Sequence, residues 1–505
     1  MNLVYPPMVR WPHLLVLWFL CAAYLWWWVS GNPLPDGFQN EYLLVGNAMD
    51  LWSALVAWDV WHLRWYMYTG YWPWGLLAVP WPFMLVLGPT RLAMVLGNLI
   101  HLAVLLAATH SMGRALGGRW AALLVVLTPG VLGTLVRFEP NLAAIAWTAG
   151  GLAALVASNG LQRKRMVWLY GACMGIGLMV DRLTVAFFLI PAVLPLLRRA
   201  SAQAWKHLAQ AAAITLFLSG AFYREFFMRH REEILSQAIA GEIDSSGALT
   251  ETPAAFEWAY YPLTLLDSQA GPVLGAVMLV GLIGRATLTR SILWASIAGG
   301  VAFFTIISKH QVFYTLPILA PLAAMAAARS RLVIIGLIGG LWSLSSVGLG
   351  LIPGGPWMSE ALVRPRHTLA RPPIPLRAEL TPALEALGPH PQHVGVFSED
   401  SVLFEGFLLL KVRERWSNVP ARGFVTDPQG TFELFNEMDA VLWAGPRGGS
   451  WPTAEAIERE MESDHTDPQT MPPAPRVVES GRDAFEEVGR WPASEETELV
   501  VFRRR

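Results

Sequence analysis

Apolar runs long enough to cross or nearly cross a bilayer recur over the first two thirds of the chain. They lie near residues 14–30, 91–111, 119–136, 140–157, 166–181, 183–198, 207–222, 272–288, 291–307, 311–328 and 331–351. A spanning helix needs about 20 apolar residues, so the pattern predicts about eleven transmembrane helices, several of them short. The runs 166–181 and 183–198 meet at Asp181-Arg182. They could form one hairpin of short helices whose polar apex is buried in the protein or in a wet cavity. The apolar stretch Trp72 to Leu87 holds Pro73, Pro80 and Pro82. Proline removes backbone donors and breaks a regular helix, so this piece is expected to be interfacial or re-entrant.

Between the first two spans, Trp52, Trp58, Trp61, Trp65, Tyr66, Tyr68, Tyr71 and Trp72 crowd one loop. Aromatic side chains at this density favour the headgroup level. Within it, Leu43, Leu44, Leu51, Leu55 and Val56 recur roughly at helical spacing, which predicts a helix lying along the membrane surface. After Leu351 the pattern changes: Pro353-Gly-Gly-Pro, Arg364-Pro-Arg and Arg371-Pro-Pro-Ile-Pro form a linker that is neither helix nor central strand. Beyond it, strands are expected at 393–397, 440–443 and 498–502, and helices at 400–412 and 454–463.

The expected fold is thus an α-helical polytopic membrane protein with surface helices and a small C-terminal α/β domain outside the cytoplasm. Its parts are a transmembrane domain at 1–352, a Pro/Arg-rich linker at 353–389 and the α/β domain at 390–505. Two large external loops, 31–90 and 223–271, interrupt the transmembrane part. Composition agrees, since hydrophobic residues make up 54% and charged residues 15% of the 505, against roughly 25% charged in a soluble protein. The first run ends in Trp26-Trp-Trp28, where a cleavable leader would carry small residues, so it reads as a retained anchor.

Charge placement orients the chain. With the N-terminus inside, the links Arg114/Arg119, Arg163-Lys164-Arg165, Arg198-Arg199/Lys206, Arg285/Arg290 and Arg329/Arg331 all become cytoplasmic, as the positive-inside rule requires. Arg224, Arg229 and Arg231 dissent, in a loop long enough to escape the rule. The expected chain is thus multi-pass, with its N-terminus cytoplasmic and its C-terminal domain outside. A net charge of −1 gives no basic surface for nucleic acid. The two cysteines, Cys21 and Cys173, both sit in apolar runs and form no disulfide framework or thiolate metal site.

In this topology the informative polar residues gather outside. They are Asp36 and Glu41 after the first span, Arg137 and Glu139 in the tight link Arg137-Phe-Glu-Pro-Asn141, and Lys309-His310 before Tyr314. Asp181-Arg182 sits at the hairpin apex, nearer the outside than the cytoplasm. A carboxylate at such a face can act as general base on an acceptor hydroxyl, while cations stabilise an anionic leaving group such as a lipid phosphate. Each has a plainer alternative. Asp36 and Glu41 could cap a helix or begin a turn, and Glu139 could compensate the dipole of the helix beginning at Pro140. Arg137 and Lys309 could anchor at headgroups, His310 could satisfy one hydrogen bond, and Asp181 and Arg182 could pair as structural glue. No cofactor is expected. A divalent cation among Asp36, Glu41, Asp50 and Asp59 stays open, because their spacing fixes no geometry.

From residue 10 to about 350, the order of these features resembles the GT-C superfamily of polyprenyl-phosphate-sugar-dependent glycosyltransferases, notably the bacterial relatives of protein mannosyltransferases and of lipid A aminoarabinose transferase. The carriers are the acid after the first span, the aromatic surface helix, Tyr71-Trp-Pro-Trp-Gly-Leu-Leu77, Gly113-Arg-Ala-Leu-Gly-Gly-Arg119, Leu127-Thr-Pro-Gly130, Arg137-Phe-Glu-Pro-Asn141, Gly171 to Pro191 and Lys309 to Pro321. Two departures are visible: Gly37 follows Asp36 where many members have adjacent acids, and Tyr71-Trp-Pro73 stands for a His-Pro-Pro-like element.

The resemblance implies a membrane glycosyltransferase that moves a monosaccharide from a polyprenyl-phosphate carrier to a glycan, lipid or protein acceptor in a single inverting displacement. It would use Asp36 as base, with Glu41 and Glu139 as further catalytic carboxylates. Arg137, Arg182, Lys309 and His310 would bind the donor phosphate, and membrane lipids of the bacterial cytoplasmic (inner) membrane would surround the site. A transporter or lipid flippase, and an inactive relative serving as a binding or assembly module, are the alternatives.

Overall fold

Helix α1 (Trp11–Gly31) covers the first expected span. The computed structural model describes residues 11–32, 41–69, 73–198, 201–240, 259–306, 313–352, 380–388, 391, 393–398, 408, 412, 421–423, 438–446, 451, 484–492 and 497–505. The aromatic loop folds as α2 (Glu41–Val56) and α3 (Val60–Thr69), joined where Trp58 adopts a positive φ of 54°. Asp59 starts α3. Its Oδ1 accepts from the backbone N–H groups of Trp61 and His62, each at 3.1 Å, and its Oδ2 lies 2.6 Å from Nδ1 of His62. The His62 backbone and side-chain hydrogen bonds hold the Asp59 carboxyl below its ordinary range.

The proline-rich stretch is a pair of short helices, α4 (Trp74–Ala78) and α5 (Trp81–Leu87), separated at Val79-Pro80. Helices α6 (Arg91–Leu96) and α7 (Asn98–Ala115) meet at Gly97 and together make the next span. The run 119–136, expected as one helix, is two: α8 (Ala121–Val126) and α9 (Pro129–Leu135). Thr128 ends the first and caps the second, accepting from Val131 N–H at 3.3 Å, and Pro129 follows at the first helical position. Helix α10 (Pro140–Ala157) coincides with the expected span.

The next two runs form the expected hairpin, α11 (Lys164–Leu178) and α12 (Val185–Arg198), around a 3₁₀ turn at Arg182–Thr184. Helix α13 (Ala202–Ala240) extends well past the expected end at residue 222, so the second external loop begins as helix. Helix α14 (Tyr260–Thr264) runs into a π-helical turn at Leu265–Gln269, then α15 (Pro272–Gly281), shorter than its expected 272–288. Helices α16 (Leu288–Ile306), α17 (Leu319–Ala327, entered through a 3₁₀ turn at Leu316–Ile318) and α18 (Ser330–Ser343, continued by a π-helical turn at Leu344–Gly348) complete this part.

Among the described residues, five helical stretches are long and apolar enough to cross a membrane: Pro12–Gly31, Arg91–Ala115, Pro140–Ala157, Leu288–Ile306 and Ser330–Gly348. The expected count of about eleven thus resolves into these and a set of shorter apolar helices. Large apolar side chains that a soluble protein would bury face outward, as Phe217 of α13 does at 86% exposure and Ile334 and Ile338 of α18 do. Such a surface is compatible with lipid. Small residues let the helices meet closely. A β-carbon on Gly171 of α11 would lie 2.5 Å from the Ala211 carbonyl oxygen of α13, so only glycine fits that crossing.

Contacts between chain-distant residues define two ends of the bundle. At one, Gly118 packs on Ala327 and Gly281 on Ala326, while Arg290 donates to the carbonyls of Gly281, Leu282 and Ile283, the first at 2.7 Å. Arg329 also donates to Ile283 O. Two links expected on the cytoplasmic side therefore supply the cations that close the C-terminus of α15. The opposite end holds the start of α10 and the turn before α17.

Beyond the linker, α19 (Leu380–Ala386) packs on a five-stranded sheet of β1 (Val394–Ser398), β2 (Ala421–Gly423), β3 (Ala440–Pro446), β4 (Phe485–Pro492) and β5 (Thr497–Arg504). The strand order is β2-β1-β3-β5-β4, with β1 parallel to β2 and β3, and β5 antiparallel to β3 and β4. Val394, Val396, Leu442, Leu499 and Val501 form its core with Leu380 and Leu384. The three expected strands are β1, β3 and β5. The helices expected at 400–412 and 454–463 lie outside the described residues, apart from Leu408 and Val412, which are helical and buried.

Candidate active site at one end of the bundle

The end of the bundle away from Arg290 and Arg329 collects buried charge. Glu41, the first residue of α2, is 1% exposed and meets Arg91, the first residue of α6, which is 2% exposed. The guanidinium grips the carboxylate with two prongs, Nε to Oε1 at 2.9 Å and Nη2 to Oε2 at 3.2 Å, and its Nη1 donates to the carbonyl of Asn32 at 2.9 Å. Oε1 of Glu41 also accepts from the backbone N–H of Phe138 at 3.2 Å. One ion pair thus ties together the end of α1, the start of α2, the start of α6 and the Arg137–Glu139 link. The bidentate geometry is specific to arginine.

The Arg137–Glu139 link is fixed from a second side. Asn98, at the start of α7, donates through Nδ2 to the carbonyls of Arg137 at 2.6 Å, Leu135 at 3.0 Å and Thr134 at 3.4 Å. It receives carbonyls that the end of α9 leaves without helical partners. Arg137 is itself 2% exposed and Glu139 6%. Glu139 is the residue before α10, and its Oε2 accepts from Nδ2 of Asn141 at 2.8 Å. A carboxylate there stands at the positive end of the α10 dipole, though it makes no side-chain cap on that helix.

Asn141 leads into a cleft that it shares with Asp181, Thr184, Phe187, Phe313 and Tyr314. The apex of the α11–α12 hairpin therefore joins the same end as Glu139. Arg182 points its guanidinium over the Phe226 ring of α13 at 5.3 Å, a cation–π contact. Tyr314 is held by rings on two sides, stacked on Phe304 at 5.0 Å and edge-on to Phe313 at 5.1 Å. Beside it, Gln269 of the π-helical turn donates to Thr315 Oγ1 at 2.9 Å. π-helical turns are frequent at functional sites, and this one carries Asp267, which is 1% exposed.

Of the residues expected to act, Glu41, Arg137, Glu139 and Arg182 lie in these connected elements. Asp36, Lys309 and His310 fall outside the described residues; in the chain, Asp36 lies between Asn32 and Glu41, and Lys309-His310 come just before Phe313. Glu41 has a structural occupation in the ion pair with Arg91, and Asp59 caps α3. Among the described residues, no group of three or more His, Cys, Asp or Glu side chains is placed to hold a metal ion. Sequence reasoning passed over Arg91, Asn98, Asn141 and Asp267. Arg91 and Asn98 read as span boundary and span interior, and their partners are remote in the chain. The signal available was a charged residue at the head of an apolar run, which is costly unless paired.

No protein-family model matches the chain, and no curated protein matches it in sequence. Solved structures do match in fold. ArnT from Cupriavidus metallidurans bound to undecaprenyl phosphate superimposes with a TM-score of 0.58 at 12% identity, over 97% of this chain and 98% of that one. The apo state of the same ArnT gives a TM-score of 0.54, again at 12% identity with 97% and 98% covered. The chain shares its fold with these ArnT structures over nearly its whole length.

Proposed function

We propose, on the premise of the fold shared with ArnT, that the chain is a membrane glycosyltransferase of the GT-C type. It takes a monosaccharide from a polyprenyl-phosphate carrier and passes it to an acceptor outside the cytoplasm, a glycan, lipid or protein. The likeness to ArnT with undecaprenyl phosphate bound spans nearly the whole of both chains, helical and C-terminal parts included, and is the observation that carries the reading. The charge at this end supports it, because buried Arg137 and Glu139 and half-buried Arg182 belong to the end of the bundle that the charge bias turns outward.

In the proposed reaction, Asp36 removes the proton from the acceptor hydroxyl as that oxygen attacks the anomeric carbon. The bond to the phosphate oxygen breaks on the opposite face, which inverts the anomeric centre. The lipid phosphate leaves as an anion, and Arg137, Arg182 and Lys309, with His310, balance its growing charge. Glu41 and Glu139 act at one remove, Glu41 through Arg91 and Glu139 through Asn141. The protein works in the cytoplasmic (inner) membrane with its N-terminus inside and the C-terminal domain outside.

Purified protein in nanodiscs, given undecaprenyl-phosphate-linked monosaccharides and an envelope lipid or glycan extract, is expected to release undecaprenyl phosphate and label the acceptor. Movement of the sugar lipid across vesicles without covalent transfer would replace this reading with a transport one.

A further inference from the structure

The end of the bundle opposite Glu41 and Arg137 holds two guanidiniums side by side. Arg290, the third residue of α16, is 8% exposed, and half-buried Arg329 stands in the turn between α17 and α18. Arg290 spends Nη1 on the carbonyls of Gly281, Leu282 and Ile283, at 2.7, 3.2 and 3.1 Å, and Arg329 donates to that same Ile283 oxygen. Two cations therefore converge on one carbonyl. Among the described residues, Nε and Nη2 of Arg290 have no acceptor, and neither atom is sealed from the surface. The links that meet here, 113–120, 282–291 and 328–332, contain no Asp or Glu, and neither do the links 158–166 and 198–206 on the same side. The C-terminal dipole of α15 offers about half a negative charge against two positive ones. Its carbonyls explain where the guanidiniums sit and leave most of their charge unbalanced.

A phosphodiester suits that imbalance, because guanidinium forks match phosphate oxygens and one anion between two arginines engages donors on both. The surroundings say which phosphate. Trp294, one helical turn beyond Arg290, donates its indole N–H to the Leu282 carbonyl at 3.1 Å with its ring 40% exposed. An indole so placed marks the headgroup level. Ile283 and Val280 face outward beside it and extend the lipid-compatible surface from the arginines along α15. We propose that Arg290 and Arg329 form a binding site for the phosphate of an anionic phospholipid, in the leaflet opposite the proposed sugar-lipid site. A zwitterionic lipid brings its own cation to the pair, whereas an anionic one brings only the missing charge. Bound there, the lipid ties the end of α15 to the starts of α16 and α18. The inference needs the chain only to be a membrane protein and stands apart from the transferase reading.

The test titrates delipidated full-length protein with phosphatidylglycerol, phosphatidylcholine or inorganic phosphate and counts bound lipid by native mass spectrometry. The first phosphatidylglycerol is expected to bind about tenfold more tightly than the first phosphatidylcholine, the scale of one anionic headgroup against two arginines. Arg329→Gln keeps an N–H donor for the Ile283 carbonyl but removes the charge. It is expected to bring the two lipids to within about twofold of each other. Arg163→Gln/Arg165→Gln removes more charge from another link on the same side and is expected to leave the gap intact. Phenylglyoxal labelling needs no variant, and decides if Arg329→Gln does not fold. Phosphatidylglycerol nanodiscs are expected to protect Arg329 about fivefold over phosphatidylcholine nanodiscs, measured relative to Arg163.

Equal binding of the two lipids by wild type, a gap undiminished in folded Arg329→Gln, or labelling of Arg329 that ignores phosphatidylglycerol overturns the inference. So does a gap closed as fully by the Arg163/Arg165 variant, which would make the preference a property of diffuse surface charge. Inorganic phosphate that displaces phosphatidylglycerol at equal concentration shows a site for a free anion and overturns the lipid as its occupant.

Discussion

Asp36→Asn is expected to lower sugar transfer by about 10²–10⁴-fold, the range a positioned general base contributes, with binding of the sugar lipid unchanged. Asparagine keeps the size and polarity of the side chain but cannot take a proton, so the loss falls on turnover and not on affinity. The segment that carries Asp36, residues 33–40, is flanked by two tethered residues. Arg91 binds the Asn32 carbonyl before it and the Glu41 carboxylate after it. A single guanidinium thus sets the distance between Asn32 and Glu41. Turnover and donor binding by the purified variant are the readouts, and full activity would remove Asp36 from the chemistry.

The second large effect belongs to that tether. Arg91→Ala removes from the buried Glu41 carboxylate the guanidinium that grips it, and breaking a buried pair from one side costs about 3–5 kcal/mol. With Glu41 and Arg91 both nearly sealed from solvent, screening does not soften the loss. The expected result is a large fall in the thermal unfolding midpoint for Arg91→Ala and for Glu41→Ala. The double variant Glu41→Leu/Arg91→Met is less affected than either, because neither charge is then stranded. Arg91→Lys separates stability from position. It retains the charge but not the two-pronged grip, so it should lose more turnover than stability. A scan in which the double variant is the least stable of the set contradicts this account.

How much could be read from the chain depends on the distance over which each feature is decided. Helix α10 was visible to the residue because Glu139-Pro140 starts it and its apolar content ends with it. The break inside 119–136 was also written locally, in Thr128-Pro129, but the continuous hydropathy masked it. The far half of α13 escaped for the opposite reason: hydropathy stops near Tyr223-Arg224, while helix-forming residues such as Glu225, Glu232, Leu235 and Ala238 carry the helix on to Ala240. In the C-terminal part, β1, β3 and β5 are apolar runs of a sheet interior. Strand β4 is an edge strand whose outward positions, Glu486 and Glu487, hide its period.

The site shows the same division. Residue types at turns pointed to Arg137, Glu139 and the Asp181-Arg182 apex, because charge beside an apolar span is costly and so informative. The pairing of Glu41 with Arg91, 50 positions apart, and the triple grip of Asn98 on the Arg137 link have no local signature. They exist only once α1, α2, α6, α7 and α10 meet at one end. Glu41 shows the consequence: a carboxylate that the chain offers as a possible catalyst is, in the fold, the anchor of the segment bearing Asp36.

A structure of the full-length protein with undecaprenyl phosphate bound tests the central claim most directly. The account predicts the phosphate at the end of the bundle where α10 begins, with an oxygen within about 4 Å of a side-chain nitrogen of Arg137, Arg182 or Lys309, ion-pair distance. A phosphate seated instead against Arg114, Arg119, Arg290 or Arg329, at the other end, would contradict it.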